Sequence, residues 1–229
     1  MRTDRGTDRK RQPGTWLMRG GLLLIAAALL LAGYNLWDDR RAGLAASQAL
    51  EQLLEREAGP GQEGGLGTGA YGSGVQGSGE EEIPDYLLDP GMEMPTESID
   101  GKDYIGTLEL PALDLSLPVI SRWNYPDLRV APCRYAGSAY TGDLVIAAHN
   151  YQRHFGSLDS LAPGDPVWFT DVDGNRFTYE VAEIQVLQPT DIEEMVESGW
   201  DLTLFTCTLG GKTRVTVRCE AVENCGNAG

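Results

Sequence analysis

The sequence is poor in residues that bind metal ions or nucleic acids. Its 229 residues include two histidines and four cysteines, and none has the CxxC or HxxxH spacing of a zinc site. Acidic residues outnumber basic ones by 34 to 18, and the net charge of −16 argues against a nucleic-acid partner, which needs a basic surface. We therefore expect no metal, no other cofactor and no nucleic acid.

A complete calcium loop is also missing. Asp171 and Asp173 lie close to Gly174 and Asn175, but their spacing does not match such a loop. The same residues separate two alternating runs, which favours a β-hairpin turn.

The amino-terminal part of the chain predicts a membrane anchor. Residues 1–16 form a basic tail, and residues 17–37 are almost wholly apolar. About 20 helical residues at about 1.5 Å each span a hydrocarbon core of roughly 30 Å. The excess of Lys and Arg places the amino terminus in the cytoplasm and the following chain outside the cell. A cleaved signal peptide is the alternative, but its apolar core is usually only about 7–15 residues long.

Three segments separate this anchor from the expected domain. Residues 38–57 carry apolar residues at helical spacing and predict a juxtamembrane stalk helix, with a dimer contact or a helix lying on the bilayer as alternatives. Residues 58–82 are rich in glycine and predict a flexible tether. Residues 83–103 form an acidic lead-in. We expect the anchor, the stalk helix and the tether to contribute nothing to the hydrophobic core.

Residues 104–222 predict a mainly β domain, a barrel or a sandwich, because Pro, Gly, Asn and Asp separate short alternating runs. The predicted strands are Tyr104–Leu110, Leu117–Ile120, Asp143–Ala148, Pro166–Thr170, Arg176–Leu187, Leu202–Cys207 and Thr213–Ala221. Two short helices are predicted at His154–Leu161 and Thr190–Glu197, the second with a capping box. A polar tail, residues 223–229, follows.

Three reactive side chains lie at the ends of predicted strands. Cys207 ends one alternating run, Arg214 begins the next and His149 follows an earlier apolar run. A thiol, an imidazole and a guanidinium in this arrangement form a candidate nucleophilic site. The alternatives are a buried structural thiol and a core histidine. Arg214 and Arg218 share one face of their strand, and the pattern alone does not separate them.

These residues resemble the motifs of the sortase family, the cell-wall transpeptidases of Gram-positive bacteria. The family has a TLxTC strand, a histidine that ends an earlier strand and an arginine that opens the strand after the cysteine. Here the matching segments are TLFTC at 203–207, AAHN at 147–150 and TRVTVR at 213–218. The resemblance covers about residues 104–221. It implies a sortase-like closed β-barrel with short helices, preceded by one transmembrane helix.

The resemblance also implies roles for individual residues. Cys207 is the nucleophile, His149 the general acid and base, and Arg214 the oxyanion stabiliser. Arg218 is then a surface or ion-paired residue. Neighbours of the first two are expected to bind substrate: Thr206, Thr208 and Asn150.

The implied function is that of a membrane-anchored extracellular cysteine transpeptidase. It would cleave an LPxTG-like sorting signal of surface proteins or pilins through a thioacyl intermediate and transfer it to an amine of a wall precursor or a pilin lysine. The short segment between Leu187 and Asp201 favours this signal over an NPxTN-like one, whereas AAHN is shared with enzymes that recognise the latter, so class B and class D stay open. A secreted cysteine hydrolase and a non-catalytic anchored β domain that binds wall or partner protein are the alternatives.

Two further interpretations concern the lead-in and the other cysteines. Some pilus-building sortases cover their site with a segment that bears an Asp-Pro pair, so residues 83–103 are a candidate lid, although Asp89-Pro90 precedes glycine rather than an aromatic residue. Cys133, Cys219 and Cys225 are candidates for a disulfide outside the cell, but we predict none.

Overall fold

The computed structural model describes residues 14–57 and 83–222. The chain divides into two compact units, Met1–Arg40 and Arg41–Gly229. Most of the predicted basic tail, the predicted tether, the polar tail and Cys225 lie outside the described residues.

Helix α1 runs from Gly14 to Glu57. Within it, an 18-residue window of Met18–Glu55 has a mean hydropathy of 1.7 and no buried residue, so by length and composition this segment is able to cross a membrane. A signal sequence meets the same criterion. The helix is thus compatible with the predicted anchor.

The part of α1 that belongs to the second unit has a buried stripe. Ala42, Ala46, Ala49 and Leu53 are at most 5% exposed and follow helical spacing. They pack with residues of the β domain, Ala46 in one core cluster and Ala49 with Leu53 in another. The expectation that the predicted stalk helix contributes nothing to the core is therefore wrong. The small side chains of the stripe allow the helix to approach the domain closely.

Within residues 83–222, nine strands form the β domain. They are β1 (Glu97–Ile99), β2 (Lys102–Leu110), β3 (Leu115–Ile120), β4 (Cys133–Ala136), β5 (Leu144–Ala148), β6 (Pro166–Asp171), β7 (Arg176–Leu187), β8 (Leu202–Cys207) and β9 (Arg214–Ala221). Their order in the sheet is β1-β2-β3-β4-β5-β8-β9-β7-β6, and β6 also pairs with β2. This last pairing closes the eight strands other than β1 into a barrel, which confirms the predicted fold class.

The strand predictions missed β1 and β4. Both are short, at three and four residues. β4 joins β3 through a single parallel pair, Ile120 with Cys133. So few residues give no alternation to detect, and their strand conformation depends on neighbours that are distant in sequence.

Short helices precede the first strand and connect later ones. They are α2 (Asp85–Leu88), α3 (Tyr125–Leu128), α4 (Ile192–Val196) and two 3₁₀ turns, Pro111–Leu113 and Leu158–Ser160. The predicted helix His154–Leu161 is wrong, because tight turns and only the second 3₁₀ turn occupy this stretch. The predicted capping box before α4 does not form, since the residue that caps this helix is Asp191 and it makes no side-chain capping bond.

The barrel interior is filled by aliphatic side chains on the inward faces of the strands. Leu204 and Val217, direct partners on β8 and β9, are both fully buried in it. Burial of each such side chain contributes roughly 1.5–3 kcal/mol. Alternation along β8 then turns Phe205 and Cys207 to the opposite face.

The β6–β7 hairpin turn is organised by one buried carboxylate. Asp171 accepts hydrogen bonds from the backbone amides of Asp173 (3.0 Å) and Asn175 (2.8 Å) and from the Asn175 side chain (2.9 Å). The Tyr140 hydroxyl donates a fourth bond at 2.7 Å. The predicted hairpin is confirmed. Its acidic residues serve the turn, because the oxygens of Asp171 are already occupied by donors.

Candidate active site

Strands β5 and β8 bring His149 and Cys207 together. The two strands are parallel neighbours, and their last pair is Ala148 with Thr206. His149 and Cys207 each follow this pair, so they lie side by side at the ends of strands that are about 4.8 Å apart. The Thr206 hydroxyl donates to the Ala148 carbonyl at 2.9 Å, which fixes the register at this end.

The β8–β9 hairpin brings Arg214 to Cys207. The two residues are direct partners in the antiparallel pair. In the turn between them Gly210 and Gly211 have φ angles of 85° and 70°, a left-handed conformation that glycine adopts without steric cost. Arg214 Nη1 donates to the carbonyls of Gly211 (3.3 Å) and Thr213 (3.1 Å). The guanidinium is therefore oriented by its own turn.

All three side chains line one groove with a volume of about 230 Å³, which we call the thiol groove. Cys207, His149 and Arg214 are half-buried in it. Its other walls are mainly aromatic and aliphatic, and they include Trp123, Tyr125, Leu128, Tyr135, Ile192, Met195 and Phe205. Such an arrangement is able to attack a carbonyl with the thiol, move a proton through the imidazole and stabilise an oxyanion with the guanidinium.

The described thiols differ in accessibility. Cys133 and Cys219 are fully buried, and burial raises the pKa of each thiol to about 12. Cys207 is half-buried and opens onto the groove. All three are free thiols. Because the thiolate is the reactive form, Cys207 is the most accessible candidate nucleophile among the described thiols.

A second cavity also reaches Cys207. Its volume is about 190 Å³, and its lining includes Asn150, Gln152, Asp159 and Thr208. All three predicted substrate-binding residues, Asn150, Thr206 and Thr208, line this second cavity rather than the thiol groove. Thr206 is nevertheless buried, and its hydroxyl is bonded to a backbone carbonyl.

Sequence reasoning missed the aromatic wall of the thiol groove. Tyr135 meets Phe205 edge-on with ring centroids 5.2 Å apart, and Trp123 meets Tyr135 at 5.6 Å. Phe205 was detectable, because it lies two residues before Cys207 and so on the same face of the strand. Tyr135 lies on the unpredicted β4, and Trp123 follows β3, so their approach depends on barrel closure.

Arg218 is not a surface or ion-paired residue as expected. It is fully buried, and its guanidinium donates to the carbonyls of Glu194 (2.6 Å) and Met195 (3.3 Å). It also donates to the hydroxyls of Ser198 (3.0 Å) and Thr203 (2.9 Å). The two arginines on this face of β9 therefore have different environments, which the sequence pattern did not separate.

The lead-in packs away from the thiol groove. Tyr86 stacks on Tyr140 with ring centroids 4.7 Å apart and packs against Phe177 at 5.3 Å. Tyr140 precedes β5, whereas His149 follows it, so this contact lies at the other end of that strand. Among the described residues, none from 83–103 lines the groove. The lid interpretation thus gains no support.

The fold and the groove together define a class of protein: a closed β-barrel that presents a thiol, an imidazole and a guanidinium in one groove. Comparison with known proteins narrows this class. The family model for the Sortase domain matches residues 108–222, which is half of the chain. The chain belongs to the sortase family.

Individual relatives agree with this assignment. Sortase A of Bacillus anthracis is 28% identical over 121 residues, a match that covers 50% of this chain and 57% of the relative. The structure of sortase A from Corynebacterium diphtheriae matches with a TM-score of 0.50 and 25% identity over 55% of this chain and 64% of that one. Sortase C1 from Streptococcus agalactiae matches with a TM-score of 0.50 and 26% identity over 63% and 79%. The chain spans about 57% of the length of the B. anthracis relative.

Proposed function

We propose that this protein is a membrane-anchored cysteine transpeptidase that cleaves a peptide sorting signal and passes the acyl group to an amine. The observation that carries the proposal is the convergence of Cys207, His149 and Arg214 on the thiol groove. The apolar lining of the groove suits a short extended peptide whose side chains are mostly uncharged.

In the first half-reaction, the Cys207 thiolate attacks the carbonyl carbon of the scissile peptide bond. The carbonyl oxygen becomes an oxyanion, which the Arg214 guanidinium stabilises with directed N–H donors. The C–N bond then breaks, and the leaving amine takes a proton from His149. A thioester on Cys207 and a neutral His149 remain.

In the second half-reaction, an amine attacks the thioester while His149 removes its proton, and the new peptide bond forms as the thiolate leaves. This step is the first one reversed, so the incoming amine occupies the position of the leaving one. The second cavity is a candidate site for the amine, because it also reaches Cys207 and its lining includes Asn150, the residue after His149. The Asp159 carboxylate on its wall attracts the amine in its cationic form, which gives one proton to solvent before the free base attacks.

The specificity proposed is for an LPxTG-like signal. The connection between β7 and β8 contains only the short helix α4, and this helix contributes Ile192 and Met195 to the groove wall. A short wall segment suits a compact apolar signal. Clients are surface proteins or pilins with this signal near their carboxyl end, and acceptors are a wall precursor or a pilin lysine.

The proposed location is the cell membrane, with the catalytic domain outside. The apolar segment within α1 and the basic residues before it support this orientation. Protease added to intact cells should digest the domain while the amino-terminal tail stays protected. Protection of both would contradict the orientation.

The decisive experiment uses the full chain in detergent with a sorting-signal peptide. Products are identified by mass with and without a panel of amines. We expect a Cys207 thioacyl adduct, and amines that raise turnover and divert product from free acid to amide. Free acid as the sole product with every amine would favour the cysteine hydrolase, and the absence of any cleavage would favour a binding domain.

A further inference from the structure

The whole guanidinium group of Arg218 is buried beside the thiol groove. Arg218 is 0% exposed, and burial lowers the pKa of its guanidinium, which nevertheless stays charged. Burying a charge is costly unless its donors are satisfied. Here the Gln185 amide, in the orientation that its neighbours require, accepts from Nε at 2.7 Å and from Nη2 at 3.1 Å.

The remaining donors of Arg218 hold the β7–β8 connection. Nη2 donates to the Glu194 carbonyl and Nη1 to the Met195 carbonyl, both in the last turn of α4. The carbonyls of a last turn have no partner within the helix, and five residues are too few for a helix to be stable alone. Nη1 also donates to Ser198, just after the helix. One side chain thus fastens the end of α4 to the barrel.

The fastened segment is a wall of the thiol groove. Ile192 and Met195 of α4 line the groove together with Cys207. Met195 is buried while Ile192 is exposed, so α4 turns one side to the barrel and another to the opening. Arg218 lies on the same strand face as Arg214, four residues and therefore about 13 Å farther along.

We propose that Arg218 is a positioning residue that holds α4 as the peptide-binding wall of the thiol groove. It does not touch the reacting atoms. Arg214 acts on the oxyanion, whereas Arg218 acts on peptide affinity through Ile192 and Met195. This inference rests on the proposed function for its kinetic consequences, but not for its structural one. Lysine does not replace Arg218, because an ammonium cannot reach acceptors in several directions at once.

The structural consequence is tested by hydrogen exchange on the full chain. The Met195 and Glu197 amides donate within α4, to Asp191 and Glu193 respectively. In Arg218→Lys we expect these amides to exchange about tenfold faster while those of β5 and β8 are unchanged, since α4 opens without unfolding of the barrel. Ser198→Ala, which removes one acceptor, should give a smaller acceleration in the same amides. If Arg218→Lys does not fold, Ser198→Ala decides. Unchanged exchange of α4 in a folded variant would overturn the proposal.

The functional consequence is tested by kinetics with the sorting-signal peptide. Arg218→Lys should raise KM about tenfold, the factor that corresponds to one lost charge-assisted hydrogen bond, with kcat within about twofold of wild type. Alkylation of Cys207 by iodoacetamide should keep its rate. Arg176→Lys, at the far end of β7, is the matched control. A fall in kcat at constant KM would make Arg218 part of the chemistry and overturn the proposal. Failure of wild type to process any peptide would refute the proposed function, and the exchange experiment would still decide the role of Arg218.

Discussion

The two ends of the barrel strands use polar residues in opposite ways. At one end Asp171 is fully buried, and its carboxylate accepts four hydrogen bonds from the turn and from Tyr140. At the other, Cys207 and Arg214 are only half-buried and face the thiol groove. In the sequence, Asp171 and Asp173 were possible calcium ligands. In the structure, the hydrogen-bonding capacity of the Asp171 carboxylate is filled by donors of the protein itself. A polar group is available for chemistry only where the fold leaves it accessible.

This contrast predicts that changes near the thiol groove alter activity and changes at the buried sites alter stability. The largest effect is expected for Cys207→Ala. Without the thiol no thioacyl adduct forms, and turnover should fall by at least about 10³-fold, because no second nucleophile lies at this position. Intact-mass analysis after incubation with the peptide measures the adduct. The melting temperature should stay near that of wild type, and an adduct in the variant would refute the assignment of Cys207.

Arg214→Lys should lower kcat by about 10²-fold. The ammonium keeps the charge but cannot reproduce the directed donors that stabilise an oxyanion. Steady-state kinetics with the sorting-signal peptide measure the loss, and thermal unfolding should be unchanged. A mild effect on kcat would mean that another donor stabilises the oxyanion.

The buried stripe of α1 extends the comparison beyond the barrel. Leu53→Ala should lower the free energy of unfolding by about 2 kcal/mol, because Leu53 is 3% exposed and packs into the core. Leu54→Ala is the matched control, since Leu54 is 48% exposed, and should change stability by less than about 0.5 kcal/mol. Urea unfolding of both full-length variants gives the values. Equal effects would indicate that this helix does not pack on the domain.

Asp171→Asn should destabilise the protein by about 1–2 kcal/mol. The asparagine amide keeps one acceptor oxygen, but its NH2 group faces groups that themselves donate hydrogen bonds. The turnover per folded molecule should not change, because the β6–β7 turn is remote from Cys207. Asp173→Asn, in the same turn but with an exposed side chain, is the control and should be nearly neutral. A loss of activity in folded Asp171→Asn would contradict the prediction that this turn affects stability alone.

The smallest effect is expected for Asp159→Asn. Removing this exposed carboxylate from the second cavity should raise the KM for a cationic amine about two- to threefold, the scale of an exposed charge interaction. The rate of thioacyl formation should not change. Asp114→Asn, an exposed carboxylate that lies outside this cavity, is the control. If both variants raised this KM equally, the cause would be the overall charge of the protein rather than the cavity.

The sequence correctly predicted the features that depend on a local pattern of residues. Alternation located β7 and β8 with the bounds that the structure has, and the strand ends located the three reactive residues. It did not predict the environment of Arg218, because alternation fixes the face of a strand but not what packs against that face. It missed β4 for a related reason: the strand exists through its pairing with β3 and β5.

The hydrogen bond from Thr206 to the Ala148 carbonyl joins residues 58 positions apart. Because β5 and β8 are parallel, no hairpin is able to form this contact early, and contacts of such separation slow folding. The thiol and the imidazole therefore become neighbours only when β5 and β8 pair. A nascent or partly unfolded chain therefore holds this cysteine without its imidazole neighbour, and we expect the proposed transpeptidase activity only after folding is complete. After dilution from denaturant, activity should reappear in the slowest kinetic phase, later than the recovery of secondary structure.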